Sequence, residues 1–249
     1  MQMLRSIKDI EGYVLGAQDG EIGRCSDFFF DDRNWTVRYI VADTRKWLPG
    51  RKVLISPISI GDADGSTRTL KVGLTRDQIK DSPPLDSDAP VSRQYEIAYN
   101  QYYDWAHYWG GASVWGADRY PRLLHRIDAS RRVPQEKEGD PALRSSREVT
   151  GYHIQATDKD IGHVEDFIVD QETWIMRYLV VDTSNWLPGS RKVLVAPTWV
   201  DLVDWKRRKV LVNLTRDQVK KSPQYDPKVP VNRSYEVALY DFYGRPYDW

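Results

Sequence analysis

Apolar and polar positions alternate with a period of two along 35–42, where Trp35, Val37, Tyr39 and Val41 interleave with Thr36, Arg38, Ile40 and Ala42. Both faces are largely apolar, the pattern of a strand inside a closed sheet. Asp43-Thr44 ends it, because an aspartate can bond backbone amides two residues on and start a turn. Leu48-Pro49-Gly50 is turn chemistry, and 52–56 resumes as a strand that Pro57 interrupts. Upstream, 12–17 reads as a short strand and Asp19-Gly20 as a hairpin turn. A second strand over 21–31 carries Gly23, which marks a bulge or sharp bend. Downstream, 70–74 is the last strand. Thr75 with Gln78 three residues later predicts a capping box opening a short helix that Pro83 stops. A longer helix is expected over 92–109, where Tyr95, Tyr99, Tyr102, Ala106 and Trp109 recur at spacings of four and three. That stripe is expected to pack on the sheet or on a second copy; a groove for an aromatic or extended ligand is the alternative.

The whole pattern occurs twice. Trp35-Thr36-Val37-Arg38-Tyr39 returns as Trp174-Ile175-Met176-Arg177-Tyr178, Asp43-Thr44 as Asp182-Thr183, and Trp47-Leu48-Pro49-Gly50 as Trp186-Leu187-Pro188-Gly189. Ser190 is an extra residue after the second turn, and the correspondence resumes with Arg51-Lys52-Val53 matching Arg191-Lys192-Val193. A one-residue insertion in a turn leaves the register on both sides intact. The helix stripe returns as Tyr235, Leu239 and Phe242. Between the copies, three prolines, Arg131-Arg132 and Glu136-Lys137-Glu138 make a polar linker. The expected division is a first domain at 7–117, a linker at 118–145 and a second domain at 146–249.

Composition adds exclusions. The 249 residues carry no net charge, so no global positive field draws nucleic acid. Ten tryptophans and fifteen tyrosines suit small domains that bury much area per residue. The single cysteine, Cys25, aligns with Val164 and reads as a core residue. Nothing resembles a signal peptide or a bilayer-spanning run, and the expected location is cytoplasmic, with peripheral membrane attachment open.

Candidate chemistry is sparse. His107, His125, His153 and His163 are not repeated between copies and lack metal-ligand spacing. The reading is of a protein that is not an enzyme, with no catalytic residue, metal or cofactor. The repeated polar set is Arg38, Asp43, Arg51 and Lys52 with Arg177, Asp182, Arg191 and Lys192; each aspartate is expected to fix its turn with an arginine bracketing it. Asp27, Asp31, Asp166 and Asp170 are read as solvated strand positions, with proton relay as the alternative. Lys206-Arg207-Arg208-Lys209 is a tight basic run on a hairpin turn, open to RNA phosphates or an anionic membrane surface. Trp47 and Trp186 lie in tight turns, where exposed aromatics make strong contact anchors.

The initial Gly-Tyr, the Ile-Gly strand, Arg-Tyr followed by Val-x-Asp-Thr, Trp-Leu-Pro-Gly, Lys-Val-Leu and Leu-Thr-Arg-Asp-Gln with Ser-Pro together resemble the PRC-barrel domain, the barrel of the photosynthetic reaction-centre H subunit and of a ribosome maturation factor. The resemblance implies a mostly β protein: two small, SH3-like β-barrels, each followed by a short helix and a C-terminal aromatic helix. It also implies a protein-interaction module. The leading expectation is therefore an adaptor that binds a protein partner, its two copies packed as a pseudo-twofold pair or held apart by the linker for avidity. An RNA- or ribosome-associated factor and a reaction-centre-like electron-transport accessory are the alternatives.

Overall fold

The computed structural model describes residues 4–44, 47–49, 51–86, 90–122, 143–184 and 191–249. The fold is mostly β, and the chain divides into two compact units. One comprises Ile10–Ser145 with Glu172–Ile175; the other comprises Met1–Asp9, Ser146–Gln171 and Met176–Trp249.

Labels run in chain order. β1 (Leu4–Ser6) and α1 (Ile7–Ile10) lead the chain. The unit built on 10–145 contains β2 (Val14–Ala17), β3 (Gly20–Asp31), β4 (Thr36–Asp43), β5 (Val53–Ile55), β6 (Ile60–Asp64) and β7 (Thr69–Val72), paired in the order β5-β4-β3-β2-β7-β6. All neighbours are antiparallel except β2 with β7. The short helix α2 (Arg76–Lys80) and the longer α3 (Arg93–Tyr102) follow. A further strand, β8 (Leu143–Ser145), lies antiparallel on the outer side of β3.

The second unit repeats this order. α4 (Ser146–Val149) leads into β9 (His153–Gln155), β10 (Asp160–Asp170), β11 (Met176–Asp182), β12 (Lys192–Val195), β13 (Val200–Asp204) and β14 (Lys209–Val212), paired β12-β11-β10-β9-β14-β13. Helices α5 (Arg216–Lys221) and α6 (Arg233–Tyr243) close it. The strand added to β10 is β1, from the start of the chain. Each sheet is thus completed by the strand that precedes the other copy in sequence. The expected linker, 118–145, ends in a strand, and the domain beginning expected at residue 7 is preceded by one; residues 123–142 of that linker lie outside the described residues.

Local chemistry places the bends. Gly23 sits at φ +139, and a Cβ there would stand 2.1 Å from the Asp43 carbonyl oxygen; Gly162 repeats this at φ +132 and 1.9 Å from that of Asp182. Only glycine lets the long strand fold that closely onto its neighbour. Both capping boxes form, Thr75 with Gln78 and Thr215 with Gln218. Each helix start gains a further acceptor from the first hairpin turn: Asp19 takes the Arg76 amide and Asp158 the Arg216 amide, both at 2.8 Å.

The helix expected over 92–109 ends at Tyr102. Asp104 adopts φ 56, and the Trp105 amide bonds back to the Asn100 carbonyl, a left-handed C-terminal closure. α6 ends identically, with Gly244 at φ 61 and the Arg245 amide on Tyr240. Trp35, expected inside a strand, instead precedes β4 at φ 50, held by stacking on Phe30 with centroids 5.4 Å apart. Trp174 at φ 59 repeats the kink. The core of each unit is aromatic and aliphatic, with Phe28, Phe30, Tyr39, Tyr99 and Trp115 buried in one and Tyr152, Phe167, Tyr178 and Tyr240 in the other. Cys25 is buried, as its alignment with Val164 predicts, and desolvation pushes its thiol pKa up.

Candidate functional site

The repeated arginines make buried bonds and helix-end bonds of their own. Arg38 is 1% exposed and engages Asp31, with both Nε and Nη2 at 2.6 Å from one carboxylate oxygen. A third bond goes to the Val114 carbonyl at 2.6 Å, and the guanidinium lies against the rings of Tyr108 and Trp115, 3.8 and 4.7 Å from their centroids. Arg177 takes a different partner, Asp248, at 2.5 Å. Residue 248 aligns with Tyr108, so the position that gives Arg38 a ring beside its Asp31 partner gives Arg177 its carboxylate. Asp182 does fix its turn, accepting the Ser184 amide at 2.7 Å, and hydrogen bonding holds its carboxyl below the usual range against partial desolvation.

Arg51 and Arg191 close helix ends. Arg51 donates to the carbonyls of Lys80 and Ser82 at 2.5 and 2.8 Å, and Arg191 donates to those of Lys220, at 2.7 Å, and Ser222. A cation placed there satisfies orphan carbonyls and opposes the negative end of the helix dipole. Lys52 lies 5.5 Å from the Phe29 ring centroid, and Lys192 pairs with Glu165 at 2.7 Å.

The acidic strand positions, read as solvated, are mostly enclosed. Asp31 and Asp170 are buried, and Asp166 is 8% exposed. Asp166 accepts from the Ser6 hydroxyl, from the Lys8 amide at 3.2 Å and from the Phe167 amide at 2.7 Å. Burial raises its carboxyl to about 6 against those bonds. Asp27, half-buried, accepts from the Ser145 hydroxyl at 2.6 Å and from the Phe28 amide at 2.7 Å. The serines of the added strands reach Asp166 and Asp27, and Asp31 is enclosed with Arg38.

A repeated buried acid lies outside every pattern used above. Glu96 of α3 is 1% exposed and accepts from the hydroxyls of Tyr39 at 3.2 Å and Tyr108 at 3.0 Å, with Arg93 at 2.9 Å. Desolvation dominates those favourable contacts and lifts its carboxyl to about 7. Glu236 of α6 repeats the arrangement with Tyr178 at 2.9 Å and Arg233 at 3.1 Å, and its carboxyl is also raised by desolvation. The signal in the sequence is the recurrence of Tyr-Glu at 95–96 and 235–236 on an aromatic helix face. The arrangement can store a proton, and its enclosure makes it a polar clamp between helix and sheet.

Trp47, Tyr102 and Tyr103 of the first copy lie beside α2. Trp47 is half-buried with the Arg76 guanidinium 5.3 Å from its ring centroid. Tyr102 is 41% exposed and donates to the Gln78 carbonyl at 3.0 Å, beside Tyr103, which reaches the same carbonyl at 3.3 Å. Arg76, Asp77, Gln78 and Lys80 face solvent between them. In the second copy Phe242 takes the place of Tyr102 at the same 41% exposure, packed edge-on against Tyr243 at 5.0 Å. Trp186 lies outside the described residues. Tyr102 and Phe242, expected on the packed face, are instead exposed in the last turn of their helices.

The basic run forms the turn between β13 and β14 and is largely partnered. Arg207 faces Asp204 at 3.4 Å; Lys209 donates to Gln155 at 2.9 Å and faces Asp160 at 3.6 Å. Arg208 lies 5.3 Å from the Tyr152 ring centroid, as Arg68 lies 5.1 Å from that of Tyr13, both at positive φ. Lys206 is exposed. Among the described residues no helix is long and apolar enough to cross a membrane, and no group of three His, Cys, Asp or Glu is placed to hold a metal ion.

The family profile of the PRC-barrel domain matches residues 143–219. The match opens at Leu143, the first residue of β8. Comparison with curated proteins gives no match.

Proposed function

We propose that the protein is a non-enzymatic adaptor built from two PRC-barrel copies, and that it binds a protein partner through the aromatic surface around α2 and its counterpart on the other copy. The first copy is read as a second PRC barrel because its strand order repeats that of the matched one. The observation that carries the binding reading is the recurrence of an outward aromatic, Tyr102 and Phe242, at the same position and the same exposure. A lone exposed ring is ordinary on a protein surface. Two at equivalent positions, one beside Trp47 and a row of solvated polar side chains, match the aromatic anchors and polar rim of an interface. Two such surfaces on one chain add avidity for a partner with two sites.

The test is capture of the tagged full-length protein from native lysate, with and without nuclease, beside a Trp47→Ala/Tyr102→Ala/Phe242→Ala variant. A specific protein partner that survives nuclease and is lost with the variant supports the adaptor. Recovery only of ribosomal or RNA-bound material that nuclease releases rejects it and directs attention to Lys206-Arg207-Arg208-Lys209.

A further inference from the structure

The edge of each long strand is filled by three residues that lead the other copy. β10 receives Leu4–Ser6 and β3 receives Leu143–Ser145. The two donors are the same tripeptide, Leu-Arg-Ser. They dock in the same register: Leu4 opposite Asp170 and Ser6 opposite Ile168, Leu143 opposite Asp31 and Ser145 opposite Phe29. The serine hydroxyl meets an equivalent carboxylate in each, Asp166 or Asp27. Recognition is therefore a backbone ladder, an apolar residue at the first position and a hydroxyl read by a carboxylate at the third. This is strand addition to a sheet edge, with the side chains giving the specificity. Nothing in that set distinguishes a donor on the same chain from the same donor on another.

We propose that the β10 edge is a strand-exchange site whose second occupant is the Leu4–Ser6 segment of another copy of this chain, giving strand-swapped dimers. The proposal rests on the register and the Ser–Asp contacts and is independent of the adaptor reading. Two chains that give their segments to each other close the exchange at two. The chain's own segment is tethered and competes at an effective concentration on the order of millimolar. Its own donor therefore holds the edge in dilute solution, and swapping requires chains that refold together at comparable concentration.

The full chain is refolded from urea at low micromolar and at near-millimolar concentration, and its mass is read by light scattering after size exclusion. The same refolding is run with the Ser6→Ala chain, and with the unaltered chain plus an excess of synthetic peptide 4–11, native or carrying Ser6→Ala. The expected result is a dimer that grows with refolding concentration, falls several-fold in the Ser6→Ala chain, and is suppressed by the native peptide but not by the altered one. Monomer at every concentration overturns the proposal, as does a dimer that ignores both the substitution and the peptides. If the Ser6→Ala chain fails to refold, the peptide arm on the unaltered chain decides: equal effects of the two peptides, or none, overturn the proposal.

Discussion

Ser145 donates its hydroxyl proton to Asp27 at 2.6 Å, across 118 positions of the chain, and Ser6 makes the same bond to Asp166. Each bond pins an added strand to a half-buried or buried carboxylate, and hydrogen bonds to charged groups rank among the stronger ones. Ser145→Ala and Ser6→Ala are each expected to lower stability by about 2 kcal/mol, within the range for losing a charged hydrogen bond. Urea denaturation of each variant checks this; midpoints indistinguishable from the parent would mean that the serines do not hold the strands.

Gly23 and Gly162 allow a close backbone approach within their sheets. A methyl group at Gly23 meets the Asp43 carbonyl oxygen at 2.1 Å, in a φ region that L side chains avoid. Gly23→Ala is expected to cost more than about 3 kcal/mol, because overlap and backbone strain add. Gly12→Ala, at φ +77 with nothing within 4 Å of the new methyl, carries the strain alone and should cost about 1 kcal/mol. Thermal denaturation of the pair separates the two contributions.

Asp104 occupies the left-handed position that Gly244 occupies at the end of α6. It is exposed, so little packing opposes a change there. Asp104→Gly is expected to stabilise the protein by about 0.5–1 kcal/mol by removing the left-handed strain. A raised denaturation midpoint confirms it; an unchanged or lowered one means that the aspartate already offsets that strain locally.

Glu96 holds its proton up to about pH 7 in the folded protein, against a reference of 4.5. The folded state thus binds a proton that the unfolded state releases between those values. The contribution is most favourable below pH 4.5, falls as pH rises to 7 and is constant above it, a total of about 3 kcal/mol by linkage. Glu96→Gln removes the titration. Stability measured against pH should then fall less for the variant than for the parent over that window; parallel curves would contradict the raised acidity.

The strands β2 to β5 and β7, the glycine bends and both capping boxes were legible in the sequence because each is written in residues close together, and the doubling because the pattern returns at a fixed offset; β6 and β13 were not placed. Partner choice was not. Arg38 pairs with Asp31 and Arg177 with Asp248, and no local pattern says which carboxylate a buried arginine will meet. The helix over 92–109 was read too long because Asp104 ends it without the glycine that announces the end of α6. Tyr102, expected on the packed face, is exposed in the last turn of that helix. The added strands were missed for a related reason. Leu-Arg-Ser is too short to show a period, and it was its position before both copies, at 4–6 and 143–145, that carried the information.

Each sheet is completed by the strand that leads the other copy. Amide hydrogen exchange resolved by mass spectrometry on the full chain tests it directly, with Leu4→Ala as the perturbation. Leu4 is buried, and removing most of its side chain weakens the strand it anchors by about 2–3 kcal/mol. The account predicts faster exchange in peptides covering β10 and β11, with β3 and β4 unchanged, and the reverse for Leu143→Ala. Faster exchange in β3 and β4 on replacing Leu4 would place that strand on its own copy and contradict the account.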